Sequence, residues 1–160
     1  MLIFGHLGFA RLLAEPFRRQ RPLSLLLAGS LLPDIIDKLV FYVSDFSPGT
    51  RAVGHTLLFA TFIACAEKSR SKKWMRCPLA FGISTHLICD YVGDFFAMPS
   101  SYARNLKILL WPALGKTFPP TTHLNFVQQA TRVTEPYYLA TEMIGISILI
   151  FFAWYYKRAS

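Results

Sequence analysis

Long apolar runs alternate with short polar connections along this chain. The clearest run, Tyr137–Tyr156, has 20 residues, aromatic side chains at both ends and Lys157-Arg158 directly after it. About 20 apolar residues is the length that crosses a bilayer as a helix, and aromatic residues at both ends are typical of such a span. Four further runs are predicted to be helices, the first of them weaker because Arg11 and Glu15 interrupt it: 1–17, 22–43, 53–66 and 78–98.

The pattern predicts an all-α, polytopic membrane helix bundle of about five helices in a single domain, 1–160. The segment 99–136 is rich in proline and threonine and is predicted to be an outer loop with a short interfacial piece. Composition agrees, because 53% of the residues are hydrophobic and 16% are charged, against about 25% charged in ordinary soluble domains. The alternative is a soluble or monotopic all-α protein, since 53–66 is short for a span.

The basic residues are concentrated in alternate connections between the apolar runs. The net charge is +8, and ten of the 17 Lys and Arg residues lie in 18–21, 68–76 and 157–158. Such clusters fit membrane topology better than a nucleic-acid surface, so no nucleic-acid partner is expected. The positive-inside rule places these three connections in the cytoplasm and the N-terminus, 44–52 and 99–136 on the other side of the inner membrane.

Polar residues within the apolar runs fall at one depth under this topology. Because consecutive helices run in opposite directions, seven ionisable side chains reach a similar level toward the non-cytoplasmic face. Ionisable residues inside a membrane usually face the bundle interior and mark function. The seven are His6, Asp34, Asp37, His55, His86, Asp90 and Glu142.

The spacing of these residues suits a divalent metal ion. His86 and Asp90 are four apart and lie about 40° apart around a helix, while Asp34 and Asp37 lie about 60° apart. Imidazole and carboxylate groups are common ligands of zinc, and the number of candidates exceeds what one catalytic zinc needs, which suggests one or two ions. Each residue alone has an ordinary explanation, such as a buried ion pair or a helix cap. His123 is expected to be a loop histidine.

Four sequence blocks, "GSLLPDIID", "RAVGHTLL", "GISTHLICDYV" and "LLWP", resemble those of the bacterial membrane-bound metal-dependent hydrolase family, which includes LexA-regulated inner-membrane hydrolases. The resemblance covers about 1–115 and, more loosely, the last helix with Glu142. The family's P-D-x-D spacing is widened here to P-D-I-I-D, and its R-G-x-T-H-S block reads R-A-V-G-H-T-L. Asp37 and Arg51 lie in the two blocks that depart from the family's pattern.

The motifs and the resemblance together imply a metal-dependent phosphoester hydrolase. The expected metal ligands are His6, Asp34, Asp37, His55, His86 and Asp90. Asp37 or Glu142 is expected to act as general base and Arg51 to hold a phosphate oxygen. Zinc is the expected metal, with manganese or iron as alternatives, and the substrate is expected to be a lipid or lipid-linked phosphate among the membrane lipids. The rival hypotheses are an ion or metal carrier and a structural membrane subunit in which polar residues only lock helices together.

Overall fold

Helices make up the regular structure of the described residues. The computed structural model describes residues 2–20, 22–43, 49–70, 77–97, 99–120 and 134–159, and this part of the chain contains no strand. The predicted all-α class is therefore confirmed for it. The six α-helices described are α1 (Ile3–Ala14), α2 (Leu23–Val43), α3 (Leu57–Arg70), α4 (Pro78–Ala97), α5 (Pro99–Leu109) and α6 (Pro136–Ala159), and two 3-10 helices cover Glu15–Gln20 and Val53–His55.

The predicted helix over 53–66 is divided near its start. Val53–His55 forms a 3-10 turn, Thr56 is extended, and α3 begins at Leu57. The Thr56 hydroxyl accepts a hydrogen bond from the Phe59 backbone N–H at 3.0 Å, which is the contact of a helix N-cap. His55 therefore lies in the 3-10 turn before α3 and not within α3 itself.

The segment predicted as an outer loop contains a helix. α5, Pro99–Leu109, follows α4 almost directly and carries Lys107 in its last turn. Its buried residues, Asn105 and Ile108, lie three apart and therefore on one side of the helix. This side packs toward the rest of the fold, where Ile108 joins Ala52 and Phe118 in a small apolar cluster.

Glycines allow the helices that carry the polar residues to approach closely. α2 packs most extensively against α4, and α1 against α6. A Cβ on Gly82 of α4 would collide with the backbone of α2 at Leu26, and a Cβ on Gly145 of α6 would collide with the backbone of α1 at Phe4. Small residues at such crossings bring backbones together, which is common between helices in membranes.

The described part of the fold buries many polar groups beside its apolar core and exposes many apolar side chains. Buried groups include three histidines, four carboxylates and Arg11, whereas many large apolar side chains are exposed on every α-helix except α5. Pro136–Arg158 within α6 is the one described helix that is long and apolar enough to cross a membrane by length and composition. The 24 residues of α6 correspond to a helix of about 36 Å.

Candidate metal centre

Imidazole and carboxylate groups from four separate segments meet between α1, α2, α4 and the 3-10 turn before α3. The Nε2 atoms of His55 and His86 lie 3.2 Å apart. All of the cluster except Asp34 is buried. The described members are His6 on α1, Asp34 on α2, His55 in the turn, and His86 and Asp90 on α4.

A backbone carbonyl fixes the ring of His86. Its Nδ1 lies 2.7 Å from the Ser30 carbonyl oxygen, and because a carbonyl only accepts, Nδ1 must donate. The neutral ring of His86 therefore directs the lone pair of Nε2 into the cluster.

The carboxylate of Asp37 fixes the ring of His55 in the same way. Asp37 is fully buried, and its Oδ2 lies 2.7 Å from His55 Nδ1. The same carboxylate accepts the backbone N–H groups of Ala52 and Gly54, each at 2.6 Å. An ionised carboxylate only accepts, so Nδ1 of His55 donates and the lone pair of Nε2 is left for the cluster.

The Nε2 atoms of His55 and His86 therefore face each other across 3.2 Å, which is hydrogen-bond distance when one of them carries a proton. When neither nitrogen is protonated, the two acceptors repel unless a metal ion lies between them, and burial strengthens this repulsion. A histidine that donates one ring N–H to a carbonyl or carboxylate while the other nitrogen faces an ion is the usual arrangement of a metal ligand.

The carboxylates of Asp34 and Asp90 complete a set of four ligand atoms. Asp34 Oδ1 lies 3.6 Å from His55 Nε2 and 3.9 Å from His86 Nε2. Asp90 Oδ2 lies 3.5 Å from His55 Nε2 and 3.8 Å from His86 Nε2. Four ligands about 2.0–2.1 Å from a tetrahedral zinc ion are about 3.3–3.4 Å apart, so each carboxylate oxygen lies close to that spacing from both Nε2 atoms. Among the described residues, the groups whose ligand atoms all lie within 4.8 Å of one another are Asp34 with His55 and His86, and His6 with His86 and Asp90.

His6 lies beside this set and joins a second, overlapping group with His86 and Asp90. Its ring stacks on that of His86 with centroids 3.9 Å apart, and its Nε2 lies 3.2 Å from Asp90 Oδ1. Neither ring nitrogen of His6 makes a hydrogen bond to the described residues, and both are buried. Because His86 has one free lone pair, it can serve only one ion at a time.

Of the other predicted site residues, Asp37 lies behind His55 and Arg51 lies beside Asp90. The Nη2 of Arg51 is 2.6 Å from Asp90 Oδ2, and its Nη1 is paired with Asp94. Glu142 is engaged elsewhere: its two carboxylate oxygens accept the backbone N–H groups of Phe4 and Gly5 at 2.9 and 2.7 Å. Negative charge is favourable at a helix N-terminus, so Glu142 ties the start of α1 to α6 directly before His6.

Sequence reasoning missed Asp94 and Asn105. Asp94 continues the four-residue spacing of His86 and Asp90 along one face of α4, which was a usable signal. Asn105 donates from Nδ2 to Asp94 Oδ2 at 2.7 Å, but it lies in a segment that was predicted to be mainly loop. The prediction for His123 falls outside the described residues.

The fold and the cluster together define an all-α protein with an apolar exterior and a buried histidine–aspartate centre. The chain matches the model of the YdjM inner membrane protein family over residues 1–159, and it belongs to that family. The predicted inner-membrane assignment is confirmed at this level. Comparison with curated proteins and with solved structures gave no match.

Proposed function

We propose that this chain is a polytopic inner-membrane hydrolase that binds one divalent metal ion and cleaves a phosphoester bond of a lipid or lipid-linked substrate. The observation that carries the proposal is the buried group in which Nε2 of His55 and Nε2 of His86 face each other across 3.2 Å with the carboxylates of Asp34 and Asp90 beside them. Zinc suits two imidazole and two carboxylate ligands, with manganese or iron as the other candidates.

The distribution of apolar side chains supports a bundle that is embedded as a whole. α2 has 21 residues and α4 has 20, so each is about 30 Å long and matches the hydrocarbon thickness of a bilayer. Each also presents a face of exposed apolar side chains away from the cluster. These faces include Ile35, Leu39 and Tyr42 on α2, and Ile88, Val92 and Phe95 on α4.

A divalent ion bound by this set would lower the pKa of a coordinated water and polarise a phosphoryl oxygen. His55, His86, Asp34 and Asp90 are the residues that would hold it. His6 is the remaining imidazole, and its position beside Asp90 suits it to accept a proton. Asp37 and Glu142 are assigned to positioning, because their oxygens already accept backbone N–H groups.

The cluster is most accessible beside α2. The side chains of Asp34 and Arg51 are 29% and 25% exposed, whereas those of His86 and Asp90 are 0% and 7% exposed. Lys38 stands at the same rim, with Nζ 3.9 Å from Asp34 Oδ2. An anionic head group is attracted to Lys38 and Arg51, while an acyl chain suits the exposed Ile35 next to Asp34.

The arrangement of basic residues supports a site that opens on the non-cytoplasmic side. The clusters at 18–21, 68–76 and 157–158 belong to the opposite ends of the predicted spans from the histidines. A lipid phosphate in the outer leaflet of the inner membrane would then reach Asp34 and Arg51 without crossing the bilayer.

The test is metal-dependent cleavage of phosphatidic acid, to diacylglycerol and phosphate, or of phosphatidylglycerol, to diacylglycerol and glycerol phosphate or to phosphatidic acid and glycerol, in phosphatidylcholine vesicles. Purified protein is reconstituted with Zn²⁺, Mn²⁺ or Fe²⁺, and the products are separated by mass spectrometry. We expect cleavage by the wild type and by Glu67→Gln, and none by His86→Ala. Glu67 is the matched control because its carboxylate accepts the Leu79 and Ala80 N–H groups at the far end of α4.

No cleavage of either lipid class by metal-loaded wild type would contradict the proposed reaction. Vesicles loaded with a metal-sensitive dye distinguish a carrier from a hydrolase, because a carrier moves the ion across the membrane and a hydrolase does not. Equal cleavage by wild type and His86→Ala would contradict the assignment of the site.

A further inference from the structure

Arg51 is held by two carboxylates of α4 at once. Its Nη2 lies 2.6 Å from Asp90 Oδ2, and its Nη1 is hydrogen-bonded to Asp94 Oδ2. Asp90 and Asp94 are four residues apart and face the same side of α4. The planar guanidinium spans both carboxylates as a rigid fork, which a lysine ammonium does not reproduce.

Asn105 extends this network to α5. Its Nδ2 donates to the same Asp94 Oδ2 at 2.7 Å, and the residue is 7% exposed. The Oδ1 of Asn105 is buried and makes no hydrogen bond within the described residues. A buried amide with one unpaired group costs stability, so an apolar residue would serve better if packing were the only role of this position.

We propose that Asp94 and Asn105 are positioning residues that hold Arg51 on Asp90 and thereby fix the carboxylate oxygen that faces the metal. The proposal rests on the proposed metal centre. The order of contacts is Asn105 to Asp94, Asp94 to Arg51, and Arg51 to Asp90, whose Oδ2 lies 3.5 Å from His55 Nε2. Outer contacts of this kind typically change metal affinity by roughly 10–100-fold when they are removed.

A positioning role and a purely electrostatic role of Arg51 predict opposite changes in cation affinity when Arg51 is replaced. Removal of a positive charge beside a cation site strengthens cation binding if only charge matters. If Arg51 instead positions Asp90, its removal weakens cation binding. Arg51→Gln therefore separates the two explanations by the direction of the change in the dissociation constant.

The experiment measures Co²⁺ affinity and the visible Co²⁺ spectrum of detergent-purified protein, with Zn²⁺ competition as a second measure of affinity. Asn105→Ala changes no charge, and we expect it to raise the dissociation constant roughly tenfold. We expect Arg51→Gln to raise it by at least as much and to change the Co²⁺ spectrum. Thr141→Ala is the matched control, because Thr141 is also 7% exposed and hydrogen-bonded but lies outside the network.

Arg51→Lys and Asp94→Asn are the second variants if Arg51→Gln does not fold, as judged by circular dichroism and gel filtration. Arg51→Lys removes the fork, and Asp94→Asn removes the charge of one of the two carboxylates that the fork spans. Both changes nearly keep the size of the side chain, and we expect weaker Co²⁺ binding from both. Tighter binding by Arg51→Gln, or unchanged binding by Asn105→Ala, would overturn the positioning proposal alone. No Co²⁺ or Zn²⁺ binding by the wild type would overturn the metal centre itself, together with this proposal.

Discussion

Substitution of Asp37 by Asn tests how the fold holds His55. The Asp37 carboxylate is fully buried and accepts three hydrogen bonds, from Ala52 N and His55 Nδ1 at Oδ2 and from Gly54 N at Oδ1. An asparagine side chain has the same shape, but one of its two terminal atoms is a donor. At least one of the three donors must then face an NH₂ group.

The less costly orientation keeps the asparagine oxygen toward Ala52 and His55 and turns its NH₂ toward the Gly54 N–H. This orientation removes one hydrogen bond to a charged group, a loss of about 1.5–3 kcal/mol, and leaves a buried N–H unpaired. We expect Asp37→Asn to lower the free energy of unfolding of the metal-free protein by about 3 kcal/mol. We expect its metal affinity to fall roughly tenfold, because His55 is held less firmly.

The assay is denaturant titration of chelator-treated protein in detergent micelles, followed by circular dichroism. Asp34→Asn is the matched control, since it makes the same chemical change three residues earlier on α2. Asp34 is 29% exposed and its nearest partner atoms lie 3.6 Å or more away, so we expect a loss below about 1 kcal/mol. Equal unfolding free energies for Asp37→Asn and wild type would refute the positioning role of Asp37.

Three further predictions concern the same site. Asp34→Asn should lower metal affinity at least roughly tenfold in competition titrations against a chromophoric chelator, because it removes a ligand while the fold is retained; unchanged affinity would exclude Asp34 as a ligand. Gly54→Ala should destabilise the metal-free protein by about 1–3 kcal/mol, since a Cβ there would lie 2.6 Å from the Pro33 carbonyl oxygen and 3.0 Å from Asp37 Oδ1; a wild-type thermal midpoint would show that the 3-10 turn can move. Glu142→Gln should lower the free energy of unfolding by about 1–2 kcal/mol and change metal affinity less than Asp34→Asn does. A larger change in metal affinity for Glu142→Gln than for Asp34→Asn would place Glu142 in the metal centre.

The sequence was sufficient to predict the helical class and the residues that come together. Apolar runs indicated the approximate positions of α2, α4 and α6. The common depth of the polar residues grouped seven side chains, of which the structure brings five together: His6, Asp34, His55, His86 and Asp90. The i to i+4 spacing placed His86 and Asp90 on one face, as the structure has them. These inferences succeeded because they depend only on helix periodicity and chain direction.

The roles within the group depend on contacts that the sequence does not contain. Asp34 and Asp37 differ by about 60° around α2, which is enough to direct one toward the cluster and the other toward the backbone of the 3-10 turn. The carboxylate of Asp37 accepts hydrogen bonds from the Ala52 and Gly54 N–H groups and so stabilises that turn. This tertiary contact overrides the continuous apolar pattern of 53–66. The hydrogen bonds from α1 to Glu142 are likewise tertiary contacts, because the residues that they join are 138 and 137 positions apart in the sequence.

The most direct test of the central claim is the metal content of protein purified in detergent without chelators, measured by inductively coupled plasma mass spectrometry. The four ligand atoms lead us to expect roughly one equivalent of zinc, manganese or iron in the wild type and in the control variant Glu67→Gln. Asp34→Ala and His86→Ala should each lose it. An absence of bound metal in the wild type after all three metals have been supplied, or a wild-type metal content in both alanine variants, would contradict the metal centre.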